Sequence, residues 1–408
     1  MRKKTLCGDD EVKHAVIVDS VRTAIGKLGG TLGNETVDYL GSHVIEELLK
    51  RTELEKGAVD EVILGQAKQS ADASNVARVS MLRAGIPNEV PGYTLHRQCG
   101  SGLQAVNSAA QQIQLGLSDI IIAGGTESMS TAPYYVNGVR FGVKSGNVEL
   151  KDPNTASQPG SQPFEKYGNL IMGITAENVS EKYNISREEQ DEFALNSQEK
   201  TRNAISNGYF TKEIAPYTVK MRKNTIEFKV DEHPRETSLE KLAALRPVFK
   251  ENGTVTAGNA SGRNDGASAL LVMSEEEAIK RGYQPKARII AQAAAGCAPE
   301  LMGMGPVYAT RKALKQTDLS MDDIDIVELN EAFAAQSIAC IKELGISQNK
   351  VNPNGGAIAM GHPIGATGAI LMTKLLHELE RTGKRYGLVT LCIAGGMGIS
   401  TIVENMQV

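Results

Sequence analysis

Cys99 sits in Leu95-His96-Arg97-Gln98-Cys99-Gly100-Ser101-Gly102, and an apolar pattern of helical period begins directly after it. A helix N-terminus gathers unpaired backbone N–H groups and partial positive charge. That setting draws a thiol toward thiolate, the form that attacks a carbonyl carbon. Gly100 and Gly102 read as room for a substrate beside the sulfur. For acyl chemistry such a thiol still lacks a base and a second group able to move a proton.

Both are supplied downstream. His362 lies in the glycine-rich run Asn352 to Gly368, which has neither the Gly-Lys-Ser/Thr of a phosphate loop nor the G-x-G-x-x-G of a dinucleotide fingerprint. Pro363 suits the first turn of a helix and predicts an imidazole held at a helix start. As a base toward Cys99, positioned proton transfer contributes roughly 10²–10⁴-fold in rate. Cys392 ends an apolar strand just before Gly395 and Gly396. With the ordinary thiol pKa of about 8.5 it can give and take a proton near neutrality. Asn330 and Glu331 close another strand. Asn330 can hold a water against a developing oxyanion, and Glu331 can orient that water or His362.

The elements that must position these groups occur twice. Strand patterns at 14–19, 59–64 and 119–125 alternate with helical spacing at 37–50 and 101–115. Strand patterns at 286–291, 324–329 and 387–396 alternate with helical spacing at 306–315 and 364–380. Both series end in Ala-Gly-Gly, and the interval from Leu64 to Cys99 matches that from Leu329 to His362 within two residues. The chain thus reads as a duplicated α/β unit with helices on both faces of each sheet. Matching helix starts across a pseudo-two-fold axis would bring Cys99 and His362 together. The predicted organisation is an N-terminal half of residues 1–130 plus 261–284, an inserted segment 131–260, and a C-terminal half 285–408. The insertion opens one of its helices with Ser186-Arg-Glu-Glu189, a capping box, and is placed to cover a ligand.

Composition narrows the class. The 408 residues are 41% apolar and 23% charged with net charge −4, ordinary for a globular enzyme and without the basic excess of a nucleic-acid binder. Segment 220–229 is locally basic. The five cysteines, at 7, 99, 297, 340 and 392, form no C-x-x-C pair, which argues against a disulfide framework or zinc site and for a reducing compartment. No apolar run reaches membrane-spanning length, and neither a secretory signal nor a peroxisomal address is evident, so a cytoplasmic location without membrane partners is expected.

Taken together, Gln98-Cys99-Gly100-Ser101-Gly102, Asn330-Glu331-Ala332-Phe333, Gly361-His362-Pro363-Ile364-Gly365 and Cys392-Ile393-Ala394-Gly395-Gly396-Met397-Gly398 resemble the motifs of the thiolases, acyl-CoA C-acyltransferases, over essentially the whole chain. The resemblance implies a duplicated five-layered α-β-α-β-α fold with an inserted loop domain. It also implies a ping-pong reaction that runs through acyl-Cys99, with Cys392 taking the α-proton of a second acetyl-CoA. One oxyanion site falls to His362 and a water held by Asn330, the other to the backbone N–H groups of Cys99 and Ala394. Coenzyme A is expected against Ser261, Ala257, Phe249, Met172, Phe333 and Arg235, its phosphates near Arg235 and the basic segment. Acyl-CoA and CoA are then substrates rather than cofactors, no metal is called for, and a homo-oligomer, a dimer of dimers, is expected. Members usually carry Gly where Ala394 stands, which raises the question of a positive φ there. Ile171 stands where a polar residue often precedes Met172, and an apolar pocket edge there suits acyl chains longer than acetyl. The competing readings are a β-ketoacyl-acyl-carrier-protein synthase, which would pair its cysteine with two histidines, a non-catalytic acyl-CoA or lipid binder, and a cysteine thioesterase, which has no use for a second thiol.

Overall fold

The structure, a computed structural model, describes residues 13–408. Cys7 and the N-terminal stretch inspected for a secretory signal lie outside the described residues. The first half runs β1 (Ala15–Thr23), α1 (Val37–Thr52), β2 (Glu61–Gly65), α2 (Val76–Arg83), β3 (Gly92–Leu95), α3 (Ser101–Gln114) and β4 (Ile120–Ser128). After an excursion containing α4 (Met172–Tyr183) and α5 (Arg187–Ser206), β5 (Asn264–Ser274) completes it. The second half follows with β6 (Ala287–Gly296), α6 (Gly305–Leu314), β7 (Ile326–Leu329), α7 (Ala334–Leu344), α8 (Thr367–Thr382), β8 (Tyr386–Ile393) and β9 (Met397–Asn405).

The halves repeat each other in pairing as well as in order. The first is arranged β3-β2-β4-β5-β1 and the second β6-β9-β8-β7, with an isolated parallel bridge from Val327 to Val351 standing where β2 meets β3. Even an irregularity recurs. The register of β1 on β5 slips after Ile17, that of β6 on β9 after Ile289, each the third residue of its strand. A bulge kept at the same place bends both sheets alike. The sequence reading of two separate sheets needs one correction. β1 and β6 pair antiparallel at Val16–Arg288 and Ile17–Ala287, so the two half-sheets run on as one.

Three apolar layers hold the sheets. α1 and α2 pack outside the first half-sheet, and α6 and α7 outside the second. α3 and α8 lie side by side between them, burying Leu103, Val106, Leu371 and Leu375 against strands of both halves. The result is the five-layered order α-β-α-β-α. Contact between α3 and α8 is possible because Gly102 has no side chain. A Cβ there would stand 2.9 Å from Ala369 N and 3.0 Å from Gly365 O.

β5 was not visible as a strand in the sequence. All eleven of its residues are buried, yet it opens on Asn264-Asp265-Gly266-Ala267-Ser268, a small and polar run that reads as a turn. α5 does begin at the expected box: Ser186 Oγ accepts from Glu189 N at 3.1 Å, and Glu189 Oε2 from Ser186 N at 2.8 Å.

Candidate active site

Cys99 stands one residue before the N-cap of α3, on an elbow fixed by backbone geometry. Gln98 takes φ +46°, a left-handed conformation that costs a non-glycine residue about 1–3 kcal/mol. Bonds over-determine the turn: Ser101 Oγ gives its proton to Gln98 O at 2.6 Å and accepts from Arg97 N at 2.8 Å, and Gln98 Nε2 donates to Ser161 Oγ at 3.1 Å. The flanking glycines do not make room for substrate as expected. Gly102 admits α8, and a Cβ on Gly100 would meet Ile393 Cδ1 at 2.6 Å.

His362 forms an isolated parallel bridge with Arg263 rather than lying in the first turn of a helix; a turn over 364–366 follows and α8 starts only at Thr367, so Pro363 precedes it. The three-residue offset has a use. Thr367 Oγ1 donates to Pro363 O at 2.9 Å and stands 2.6 Å from His362 Nδ1. A hydroxyl has one proton, so here it accepts from Nδ1–H and leaves Nε2 with the free lone pair. Asn330 Nδ2 makes a long contact of 3.5 Å with that Nε2, and Asn330 Oδ1 is buried with no protein partner. The His362 backbone N–H is held by Asn264 Oδ1 at 2.9 Å.

Glu331 does not reach His362. Its carboxylate accepts from Ser197 Oγ at 2.7 Å, Asn352 Nδ2 at 2.7 Å and Ile358 N at 3.2 Å, which braces the run leading to His362. Ala394 is free of the strain in question, since positive φ falls on Gly395 and Gly396 instead.

Cys99, His362, Cys392, Ala394, Met172, Phe249, Ser261 and Phe333 line one cavity of about 190 Å³. Asn330 touches its wall only through His362, and Ile171 is not part of the lining. Phe249 and Ser261 also line a neighbouring cavity of about 250 Å³ that contains Arg235 and Ala257, so a groove leads inward from Arg235. Arg235 Nη2 donates to Ala257 O at 2.8 Å. The edge-on rings of Phe249 and Phe333, 6.4 Å apart, and the bond from Ser261 N to Ala332 O at 3.0 Å join the two segments that frame it. The basic run 220–229 belongs to a hairpin of Tyr217–Lys220 and Thr225–Phe228 that buries Tyr217, Val219 and Phe228 and turns its lysines and Arg222 to solvent, outside both linings.

Burial governs the charges, against the sequence expectation. It raises the Cys99 thiol to about 11, although the N–H groups of Ala394 and of Cys99 itself and the charge of Lys68 pull the other way. Burial likewise lifts Cys392 well above the ordinary thiol range, with Cys99 adding to it, and lowers His362 to about 4. The helix terminus thus does not leave a resting thiolate; the site at neutral pH is a neutral thiol beside a neutral imidazole. The two N–H groups aimed at the sulfur are then free for an oxyanion forming next to it.

Three residues escaped sequence reading. Thr367 and Asn264 act on His362 through contacts that only the fold creates. Lys68 lines the cavity although it lies just past the end of β2, with no motif around it. Among the described residues no cluster of three His, Cys, Asp or Glu side chains is placed to hold a metal ion, and no helix is long and apolar enough to cross a membrane.

The chain matches the family description "Thiolase, N-terminal domain" over residues 15–276 and "Thiolase, C-terminal domain" over residues 283–405. It is 50% identical over 394 residues to the acetyl-CoA acetyltransferase of Chromobacterium violaceum, covering 96% of this chain and all of that protein. Its fold is similar to the crystal structure of the Bacillus anthracis acetyl-CoA acetyltransferase, with TM-score 0.94, 46% identity and coverage of 97% and 99%. It is similar also to human mitochondrial 3-ketoacyl-CoA thiolase in complex with CoA, with TM-score 0.92, 43% identity and coverage of 97% and 98%.

Proposed function

The chain belongs to the thiolase family, an acyl-CoA C-acyltransferase by that membership, and on this premise we propose how its own residues run the reaction. His362 Nε2 takes the Cys99 proton as Sγ attacks the thioester carbonyl of an acyl-CoA. The C–S bond to CoA breaks, and the departing sulfur receives the proton back from His362. Cys392 passes its own proton to the again neutral His362, and its thiolate removes an α-proton from acetyl-CoA; the enolate carbon then attacks the acyl-Cys99 carbonyl. The new C–C bond breaks the bond to Cys99, whose departing sulfur takes the proton from His362, and 3-ketoacyl-CoA leaves. Thiolysis is the reverse through the same groups.

What supports this is one observation: two sulfurs and one imidazole share a single cavity of about 190 Å³. The Cys99 and Ala394 N–H groups serve one oxyanion, and His362 with a water on the unpartnered Asn330 Oδ1 serves the other. Each such donor is typically worth roughly 3–4 kcal/mol in the transition state. Coenzyme A lies along the groove past Phe249 and Ser261, with its phosphates toward Arg235. It is a substrate, and no cofactor enters. The four unpaired cysteines among the described residues suit a reducing compartment, and the cytoplasm is the location proposed. Assembly as a dimer of dimers rests on the family alone, and light scattering decides it.

The test is direct. Purified protein given acetyl-CoA yields acetoacetyl-CoA and free CoA, and given acetoacetyl-CoA plus CoA it runs back. CoA release without a carbon–carbon product would replace this reading with that of a thioesterase.

A further inference from the structure

Lys68 has no part in the steps above, yet it lines the catalytic cavity at 6% exposure. Burial draws its pKa down while Glu127 opposes this through space, so an ammonium here gains from a hydrogen-bonded counter-charge. No carboxylate lies within ion-pair distance. Its ammonium carries three protons, and its one protein acceptor is Ser157 Oγ at 2.5 Å. The two nearby acids are already committed. Glu127 already accepts from the backbone N–H groups of Ala67, Lys68 and Gly365 and meets the Lys68 ammonium only through space. Asp152 caps Asn154 N and stands 3.8 Å from Arg263, a second cation on the cavity wall.

The cavity is divided accordingly. Phe249, Ala260 and Ser261 are shared with the outer groove, whereas Lys68, Gln98, Ser157 and Ser161 line the inner cavity alone. A purely apolar acyl chain would leave the ammonium facing carbon. We propose that Lys68 binds a carboxylate at the far end of the acyl group, so that the thioesters this site takes best are those of short dicarboxylic acids. The inference rests on the acyltransferase reading of the same cavity and adds the substrate class.

The experiment compares acylation of Cys99 by acetyl-CoA, butyryl-CoA and succinyl-CoA in the wild type, Lys68→Met and Lys68→Arg. A charge-assisted bond predicts that kcat/KM for succinyl-CoA exceeds that for butyryl-CoA roughly tenfold to a hundredfold in the wild type. Lys68→Met erases that ratio, and Lys68→Arg restores part of it. An equal fall for all three thioesters in Lys68→Met would mean that the lysine serves Cys99 or the Ser157 segment, and overturns the inference. Acylation by acetyl-CoA and butyryl-CoA without preference for succinyl-CoA overturns it too, while the acyltransferase reading stands. No acylation from any thioester overturns both.

Discussion

Helices α3 and α8 occupy equivalent places in the two halves and touch along the middle layer, yet they hold their reactive groups by different means. Cys99 stands on an elbow at Gln98 that the Ser101 hydroxyl braces, and the groups around its sulfur are backbone, the N–H groups of Cys99 and Ala394. His362 is placed by side chains: Thr367 on Nδ1, Asn330 near Nε2 and Asn264 on its N–H. Duplication supplied a symmetric frame, and the chemistry came from departures from that symmetry. The backbone groups that face the Cys99 sulfur survive side-chain substitution, whereas the side chains that face the His362 ring do not.

That contrast can be broken or sharpened by substitution. Removing the base itself, His362→Ala, should lower kcat/KM for acyl transfer by about 10²–10⁴-fold while leaving the protein folded, read by CoA release and by circular dichroism. Removing its tautomer lock, Thr367→Val, should cost about 10–100-fold, with Thr367→Ser recovering most of it. A loss no larger than twofold would show that the hydroxyl does not set the imidazole. Gly102→Ala pushes a Cβ into the α8 backbone and should destabilise by about 1–3 kcal/mol in urea melts, with little change in the activity of the folded fraction. Smallest is Ala394→Gly, where the N–H is kept and φ was never strained. Activity should stay level or rise slightly, and a large fall would mean that the methyl, not the amide, matters.

The pH profile sharpens the same point. His362 gains a proton only as pH falls through about 4, and Cys99 loses one only as pH rises through about 11. Acylation should therefore be level from about pH 5 to 9. A rise centred near the free-thiol value of about 8.5 would show that burial does not control the sulfur.

How much of this could be read in advance differs by the kind of signal. Glycine and proline around His362, and the strand-then-glycine setting of Cys392, mark the reactive groups because such turns have compositional signatures. The repeat of strands and helices was legible where apolar runs such as Ile120-Ile121-Ile122 or helical spacing mark it. β5 was not, because it opens on Asn264-Asp265-Gly266-Ala267-Ser268, small and polar residues that read as a turn. The join of β1 to β6 was not, because two residue pairs leave no pattern. The charge states went the wrong way for a related reason: the helix terminus is visible in the sequence, but the depth of burial that outweighs it is a property of five stacked layers. Lys68 and Thr367 acquire their meaning only from neighbours distant in the chain.

The division of labour between the two sulfurs is tested most directly by trapping the acyl group. Wild type and Cys392→Ser are incubated with acetyl-CoA, quenched, digested and mapped by mass spectrometry, with acetoacetyl-CoA measured in parallel. The acetyl group is expected on Cys99 in both proteins, with product from the wild type alone. An acetyl group on residue 392, or condensation undiminished in Cys392→Ser, would contradict it.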